Sequence, residues 1–141
     1  MGNGVKQGAV LSPILFSIYL DQLLVKLQAA NVGCFVGNIF VGALAYADDL
    51  TLLAASASAM RKMLHICEEY AVEYSIKFNA NKSKCIVFNS HRRSFSFGSA
   101  CPRFFVDNQQ IDFVDSWPHL GNILHKELCD ADCILRIDVN R

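Results

Sequence analysis

Asp48 and Asp49 stand side by side between two apolar runs, Phe40-Val41-Gly42-Ala43-Leu44 before them and Thr51-Leu52-Leu53-Ala54 after. Apolar runs flanking so short a polar break read as strand, tight turn, strand, with the carboxylates at the tip. In a straight strand neighbouring side chains point to opposite faces, so the two acids share a site only where the backbone turns. Two ionised carboxylates about 4 Å apart repel by roughly 4 kcal/mol at an effective dielectric near 20. Such a pair calls for water, a basic partner or a metal ion. Magnesium suits it, because that ion takes oxygen ligands and binds through one or two carboxylates plus substrate phosphates. The plainer alternative is a solvated hairpin turn, since Asp favours turns for local hydrogen-bonding reasons.

A chain of 141 residues, 52% of them apolar, is long enough to bury the core of one domain. Acids and bases balance to a formal charge of zero and are mixed along the chain, which argues against a freely basic nucleic-acid-binding tail. The six cysteines, at 34, 67, 85, 101, 129 and 133, form no CxxC pair, and no secretory leader is expected. Reduced thiols in an intracellular protein are expected. The longest apolar stretch, Ile14 to Leu27, is interrupted by Asp21, Gln22 and Lys26, so no membrane span is expected.

Gly2 to Gly8 is a glycine-rich opening that leads to Ser12-Pro13, a strong helix start: the hydroxyl caps free amides and proline at the first position loses no hydrogen bond. Leu15, Phe16, Tyr19, Leu20, Leu23, Leu24 and Leu27 then recur at threes and fours, predicting an amphipathic helix that ends near Asn31-Val32-Gly33. Ser58 is the expected cap of a second helix, with Met60, Met63, Leu64, Cys67, Tyr70, Ala71 and Tyr74 as its apolar stripe and His65 as a partly buried histidine beside it. Arg61 and Lys62 near its start and Glu68, Glu69 and Glu73 toward its end oppose the helix dipole, so packing must supply most of its stability.

Ile76 to Asn79 and Cys85 to Phe88 read as two short strands flanking a polar turn, Ala80-Asn81-Lys82-Ser83-Lys84. A serine-rich connection, Asn89 to Pro102, interleaves Arg92 and Arg93 with Phe95 and Phe97 and reads as a surface loop whose side chains suit a phosphate and a base. Arg103 to Val106, a turn at Asp107-Asn108, and Ile111 to Val114 predict a further hairpin, followed by Trp117 to Leu124. Asp130 or Asp132 is the expected cap of a final helix. Cys129, Cys133, His119 and His125 raise a zinc site, but their spacings match no finger or ribbon pattern.

In this order, Gln7-Gly8-Ala9-Val10-Leu11-Ser12-Pro13-Ile14-Leu15-Phe16, then Tyr46-Ala47-Asp48-Asp49, then Asn79 to Lys84, then His119-Leu120-Gly121, the chain resembles the reverse transcriptase of non-LTR (LINE-type) retrotransposons. The resemblance covers nearly the whole chain, and a QGxxLSP motif followed by YADD at this distance is highly specific. It implies an α+β fold, a fragment of a polymerase palm in which a small antiparallel sheet carries the YADD hairpin on two helices. By position it implies that Asp48 is the principal metal ligand and Asp49 its partner, for Mg2+ or Mn2+ in two-metal nucleotidyl transfer. It places Tyr46 beside the primer end, Gln7 and Gly8 along the site for the incoming nucleotide and its template base, and Lys82 where it neutralises phosphate or protonates pyrophosphate. Leu120-Gly121 resembles the element that grips the primer. The implied partners are an RNA template, a DNA primer and deoxynucleoside triphosphates, with no membrane.

The chain departs from the family at Ser75, where Gly is usual, and at Trp117-Pro118-His119, which replaces an aromatic-Lys-Tyr run. The family's other metal-binding Asp lies on a strand upstream of the QG motif, and no acid here replaces it by position. Residues 1–141 are therefore expected to be a partial reverse transcriptase domain, lacking that strand, the fingers and the thumb, and catalytically incomplete alone. The rival expectation is a non-catalytic remnant, without function or acting as an interaction module, with self-association through an exposed sheet edge.

Overall fold

A computed structural model describes residues 12–88, 102–126 and 133–140, with residues 12–17 and 133–140 described by backbone alone. Gln7, Gly8, the connection from Asn89 to Cys101, Cys129, Asp130 and Asp132 lie outside these residues. Helix α1 (Ser12–Ala29) leads into β1 (Phe35–Val36), β2 (Ile39–Phe40), β3 (Ala43–Tyr46) and β4 (Asp49–Ala54). Helix α2 (Ala57–Tyr74) follows, then β5 (Lys77–Val87), β6 (Phe105–Val106), β7 (Gln109–Gln110), β8 (Asp112–Phe113), β9 (Ser116–His119), β10 (Asn122–His125) and β11 (Cys133–Asn140). The mixed α+β character expected from the sequence is observed.

Both helices bury one stripe against the sheet. Leu20, Leu23 and Leu27 of α1 meet Met60, Met63, Leu64, Cys67 and Tyr70 of α2 over Leu50, Leu52 and Ala54 of β4. Tyr19, expected within the α1 stripe, is 45% exposed, and Ile18 and Val25 lie outside the core as well. The helix ends where Asn31 and Gly33 take positive φ of 52° and 103°, inside the expected stop. Gly33 is required there, because a Cβ would stand 3.1 Å from the Leu53 carbonyl and 3.1 Å from the Met63 sulfur.

Helix α2 is capped by Ser56 rather than Ser58: the Ser56 backbone is extended and its hydroxyl accepts from the Ala59 amide at 3.1 Å. Of two serines two residues apart, the one nearer the end of β4 has the non-helical backbone a cap needs. His65 also departs from expectation. It is exposed, one position off the stripe, with its Nε2 3.4 Å from Glu69. At the other end Ser75 takes φ 55°, and Ile76 donates back to the Ala71 carbonyl at 2.9 Å in a Schellman closure. Glycine pays no steric cost at that φ, so Ser75→Gly is expected to stabilise the fold by about 0.5–1 kcal/mol. A higher urea midpoint at unchanged slope is the corresponding measurement.

The seam between the helices is aromatic. Tyr70 donates its hydroxyl to the Tyr19 carbonyl, and Tyr74 stacks on Tyr70 with centroids 4.3 Å apart. Lys26 pairs with Glu73 at 2.5 Å beneath both rings. Burial, with Tyr74 and Glu73 alongside, pushes the Tyr70 phenol up to about 12, and burial raises the Cys67 thiol well above its ordinary range. A phenol harder to ionise folded than unfolded contributes stability that is intact below pH 10 and lost as pH climbs through about 12. Wild type is therefore expected to lose about 2–3 kcal/mol more than Tyr70→Phe across that window, read from urea unfolding at each pH.

The main sheet runs β3-β4-β11-β5-β8. It departs from the antiparallel sheet expected: β8 lies parallel to β5, with Lys84 opposite Asp112 and Cys85 opposite Phe113. The β6–β7 hairpin between them reverses the chain before β8 docks. The two short strands and turn expected from Ile76 to Phe88 are one strand, β5, in which the turn survives as a bulge. Against β11, Arg136 pairs with Lys84 and Asp138 with Asn79, so four residues of β5 loop out opposite Ile137 alone. The expected final helix is instead the strand β11. Ile134, Ile137 and Val139 are β-branched, which favours a strand, and β11 gains ladders on both sides, with β4 and with β5.

Candidate functional site

Strands β3 and β4 pair antiparallel, with Tyr46 opposite Asp49, Ala45 opposite Leu50 and Leu44 opposite Thr51. Ala47 and Asp48 make the two-residue turn. Ala47 has φ 52°, and a positive φ at the first central residue is what twisted two-residue hairpins require. A non-glycine residue there costs on the order of 1–2 kcal/mol. Asp48 is exposed in the turn, and Asp49, the first residue of β4, is half-buried.

Alternation along β4 sends Leu50, Leu52 and Ala54 into the helix-covered core and leaves Asp49 and Thr51 on the opposite face. Tyr46 and Leu44, being directly opposite them, share that face and are 65% and 55% exposed. The hairpin of β9 and β10 lies over the same face, where the Thr51 hydroxyl is 3.4 Å from Nε2 of His119. Its turn is Leu120-Gly121, with φ of 48° and 80°, the double positive pattern of a type I′ turn. Thr51 is two residues along β4 from Asp49. The expected primer-grip residues thus belong to a hairpin packed against the same strand and the same face as the acids.

Lys82 sits exposed on the β5 bulge. Asn79 shapes it: its side-chain oxygen accepts from the Lys82 amide at 3.2 Å, and its carbonyl accepts from the buried Ser83 hydroxyl at 2.7 Å. The neighbouring Lys84 is committed elsewhere, 2.6 Å from Asp112 and over the Trp117 ring at 6.0 Å. That cross-sheet anchor, and the Thr51–His119 contact, were not legible in the sequence, because nothing in their spacing signals which strands become neighbours.

As a donor set, two adjacent carboxylates at an open turn suit a hard divalent ion that keeps water or phosphate oxygens in its remaining positions. Among the described residues no group of three His, Cys, Asp or Glu side chains comes together. Cys129 and the Cys133 side chain of the zinc reading lie outside the described residues. No helix among the described residues is long and apolar enough to cross a membrane.

Residues 1–115 match the family described as reverse transcriptase (RNA-dependent DNA polymerase). The chain is 32% identical over 122 residues to a retrovirus-related Pol polyprotein from the type-2 retrotransposable element R2DM of Drosophila melanogaster, covering 84% of this chain and 11% of that one. It is 28% identical over 131 residues to the RNA-directed DNA polymerase from mobile element jockey of Drosophila funebris, covering 89% and 13%. A Pol polyprotein from the type-1 retrotransposable element R2 of Nasonia vitripennis is 32% identical over 124 residues, covering 84% and 12%. The chain thus spans 11–13% of the length of these relatives. No solved structure gives a significant match.

Proposed function

The chain belongs to the reverse transcriptase family of non-LTR retrotransposons, and on that premise we propose that it is the palm segment of an RNA-directed DNA polymerase. The observation that carries the reading is the Tyr46–Asp49 pair, which closes a two-residue turn and sets Asp48 and Asp49 together at a hairpin tip within the matched residues. Asp48 is the principal ligand for Mg2+ or Mn2+, and Asp49 its partner. Bound divalent ions supply activation of a primer hydroxyl and charge stabilisation on the leaving pyrophosphate.

The chain's own residues do the rest. Tyr46, exposed beside Asp49, flanks the primer end, and Leu120-Gly121 grips the primer from the hairpin on that face. Lys82, held out on the Asn79-shaped bulge, neutralises phosphate or gives pyrophosphate its proton. Gln7 and Gly8 line the place of the incoming nucleotide and template base. The substrates are an RNA template, a DNA primer and deoxynucleoside triphosphates, in an intracellular setting. The edge strand β3, with Leu44 and Tyr46 exposed, is the surface through which the isolated chain self-associates.

By themselves the 141 residues hold too little of the template grip to align primer and nucleotide. The test is primer extension on an RNA template in magnesium or manganese, together with Mn2+ binding, for wild type and an Asp48→Asn, Asp49→Asn double variant. Wild type is expected to bind Mn2+ without extending the primer, and the double variant to lose binding. Equal binding by both proteins would remove the metal reading. Extension by wild type that vanishes in the double variant would show these residues sufficient for catalysis.

A further inference from the structure

Strands β9 and β10 form a two-stranded sheet of their own, laid against the five-stranded one without joining it. Pro118, inside β9, has no amide to donate, so that strand offers a poor edge for extending another sheet. Lys126 closes the base of the hairpin: its amide donates to the Asp115 carbonyl at 3.0 Å, and its ammonium lies 2.9 Å from the Asp115 carboxylate. One residue earlier, Val114 donates to the Cys85 carbonyl at 2.9 Å and ties the root to β5. The hairpin is thus a closed arm on a tethered root.

Two side chains of β9, alternating with Pro118, meet the main sheet. The Trp117 ring lies 6.0 Å from the Lys84 ammonium, and His119 Nε2 stands 3.4 Å from the Thr51 hydroxyl, whose residue is 5% exposed. Docking also buries Trp117 Nε1 and His119 Nδ1, neither of which has a protein partner among the described residues. Buried nitrogens of this kind oppose docking, because water satisfies them once the arm lifts. Leu120 and Ile123 stay largely exposed, so apolar burial by them adds little. The balance therefore turns on what His119 and Trp117 gain from the sheet. Residues 116–125 lie beyond the 1–115 segment that matches the family, and Trp117-Pro118-His119 is a departure from its motif. The match assigns these side chains nothing.

Resting on the reading of Leu120-Gly121 as the primer grip, we propose that His119 is a positioning residue: by engaging Thr51 it latches a liftable arm. The latch fixes where Leu120-Gly121 stands relative to Asp49, two residues along β4 from Thr51.

Trp117 is the single tryptophan of the chain, so acrylamide quenching of its emission reports the arm. The experiment compares Thr51→Val, His119→Ala and His119→Gln, whose amide nitrogen stands in for Nε2, with hydrogen–deuterium exchange read in parallel by mass spectrometry. Quenching is expected to rise about twofold or more in the first two variants and to return toward wild type in His119→Gln. Exchange should quicken in residues 116–125 and stay unchanged in β4 and β5. The Thr51→Val, His119→Ala double variant should match either single one, since both remove the same contact. A DNA primer with a photoreactive end, annealed to an RNA template, reads the consequence: cross-links to the 116–125 peptide should fall in Thr51→Val while those to the 44–49 peptide persist. Quenching and exchange equal to wild type in both Thr51→Val and His119→Ala would overturn the latch. Protection lost from β4 and β5 along with the hairpin would overturn the arm and make the hairpin part of the core. Quenching that rises while cross-links stay unchanged would overturn the positioning role. A wild type that cross-links at neither peptide would overturn the primer reading and the role built on it, while quenching and exchange still decide the latch.

Discussion

Removal of residues 133–141 is expected to abolish cooperative unfolding. Strand β11 is the middle strand of the five and is hydrogen-bonded on both sides, to β4 and to β5. Without it those two strands have no ladder between them, and each presents a row of unpaired amides and carbonyls. The loss strikes β4, whose Leu50, Leu52 and Ala54 form the floor under both helices. A small domain holds only about 5–15 kcal/mol in total, and deletion of a central strand removes more than that margin. The shortened chain should melt without a sigmoidal transition by circular dichroism and elute as a broad oligomer on gel filtration, since exposed edges recruit other chains. A sharp monomeric transition at the wild-type midpoint would mean that the other four strands and two helices suffice.

The second large effect is confined to one methyl-rich side chain. Leu52→Ala is expected to cost about 3–5 kcal/mol, because Leu52 is fully buried between the sheet and both helices and truncation there leaves a cavity. Leu44→Ala, on the neighbouring strand of the same hairpin but 55% exposed, should change stability by under about 1 kcal/mol. Urea denaturation of the two variants side by side tests the assignment of faces along the hairpin. Equal losses would mean that Leu44 and Leu52 do not lie on opposite faces of the hairpin as described.

Local chemistry was legible in the sequence and long-range chemistry was not. The periodic run from Met60 to Tyr70, the stop at Asn31-Gly33 and the Asp107-Asn108 turn each depend on a few adjacent residues, and each stands where expected. The choice of Ser56 over Ser58 depends on where the preceding strand ends, which spacing alone does not give. Asn79 to Lys84 reads as a turn because its residues do make the hydrogen bonds of one, inside a ladder that continues past it. Strand β11 was misread because two acids ahead of an apolar run signal a helix cap, and only the presence of two waiting strand edges favours the alternative. At the candidate site the acids and Tyr46 were visible as a motif, whereas the neighbour that stands across from Asp49 depends on strand order.

The order in which the sheet can be made differs from the order in which it is laid out. Strands β3, β4 and β5 leave the ribosome early, yet the strand that joins β4 to β5 arrives last of the described elements, after the whole β6–β10 region. Closing so distant a pairing carries a loop-closure cost that is met only once β11 has emerged, and topologies of this kind fold slowly. Until then the nascent chain exposes two strand edges beside an already helix-capped core, which makes it a substrate for chaperones or for neighbouring nascent copies.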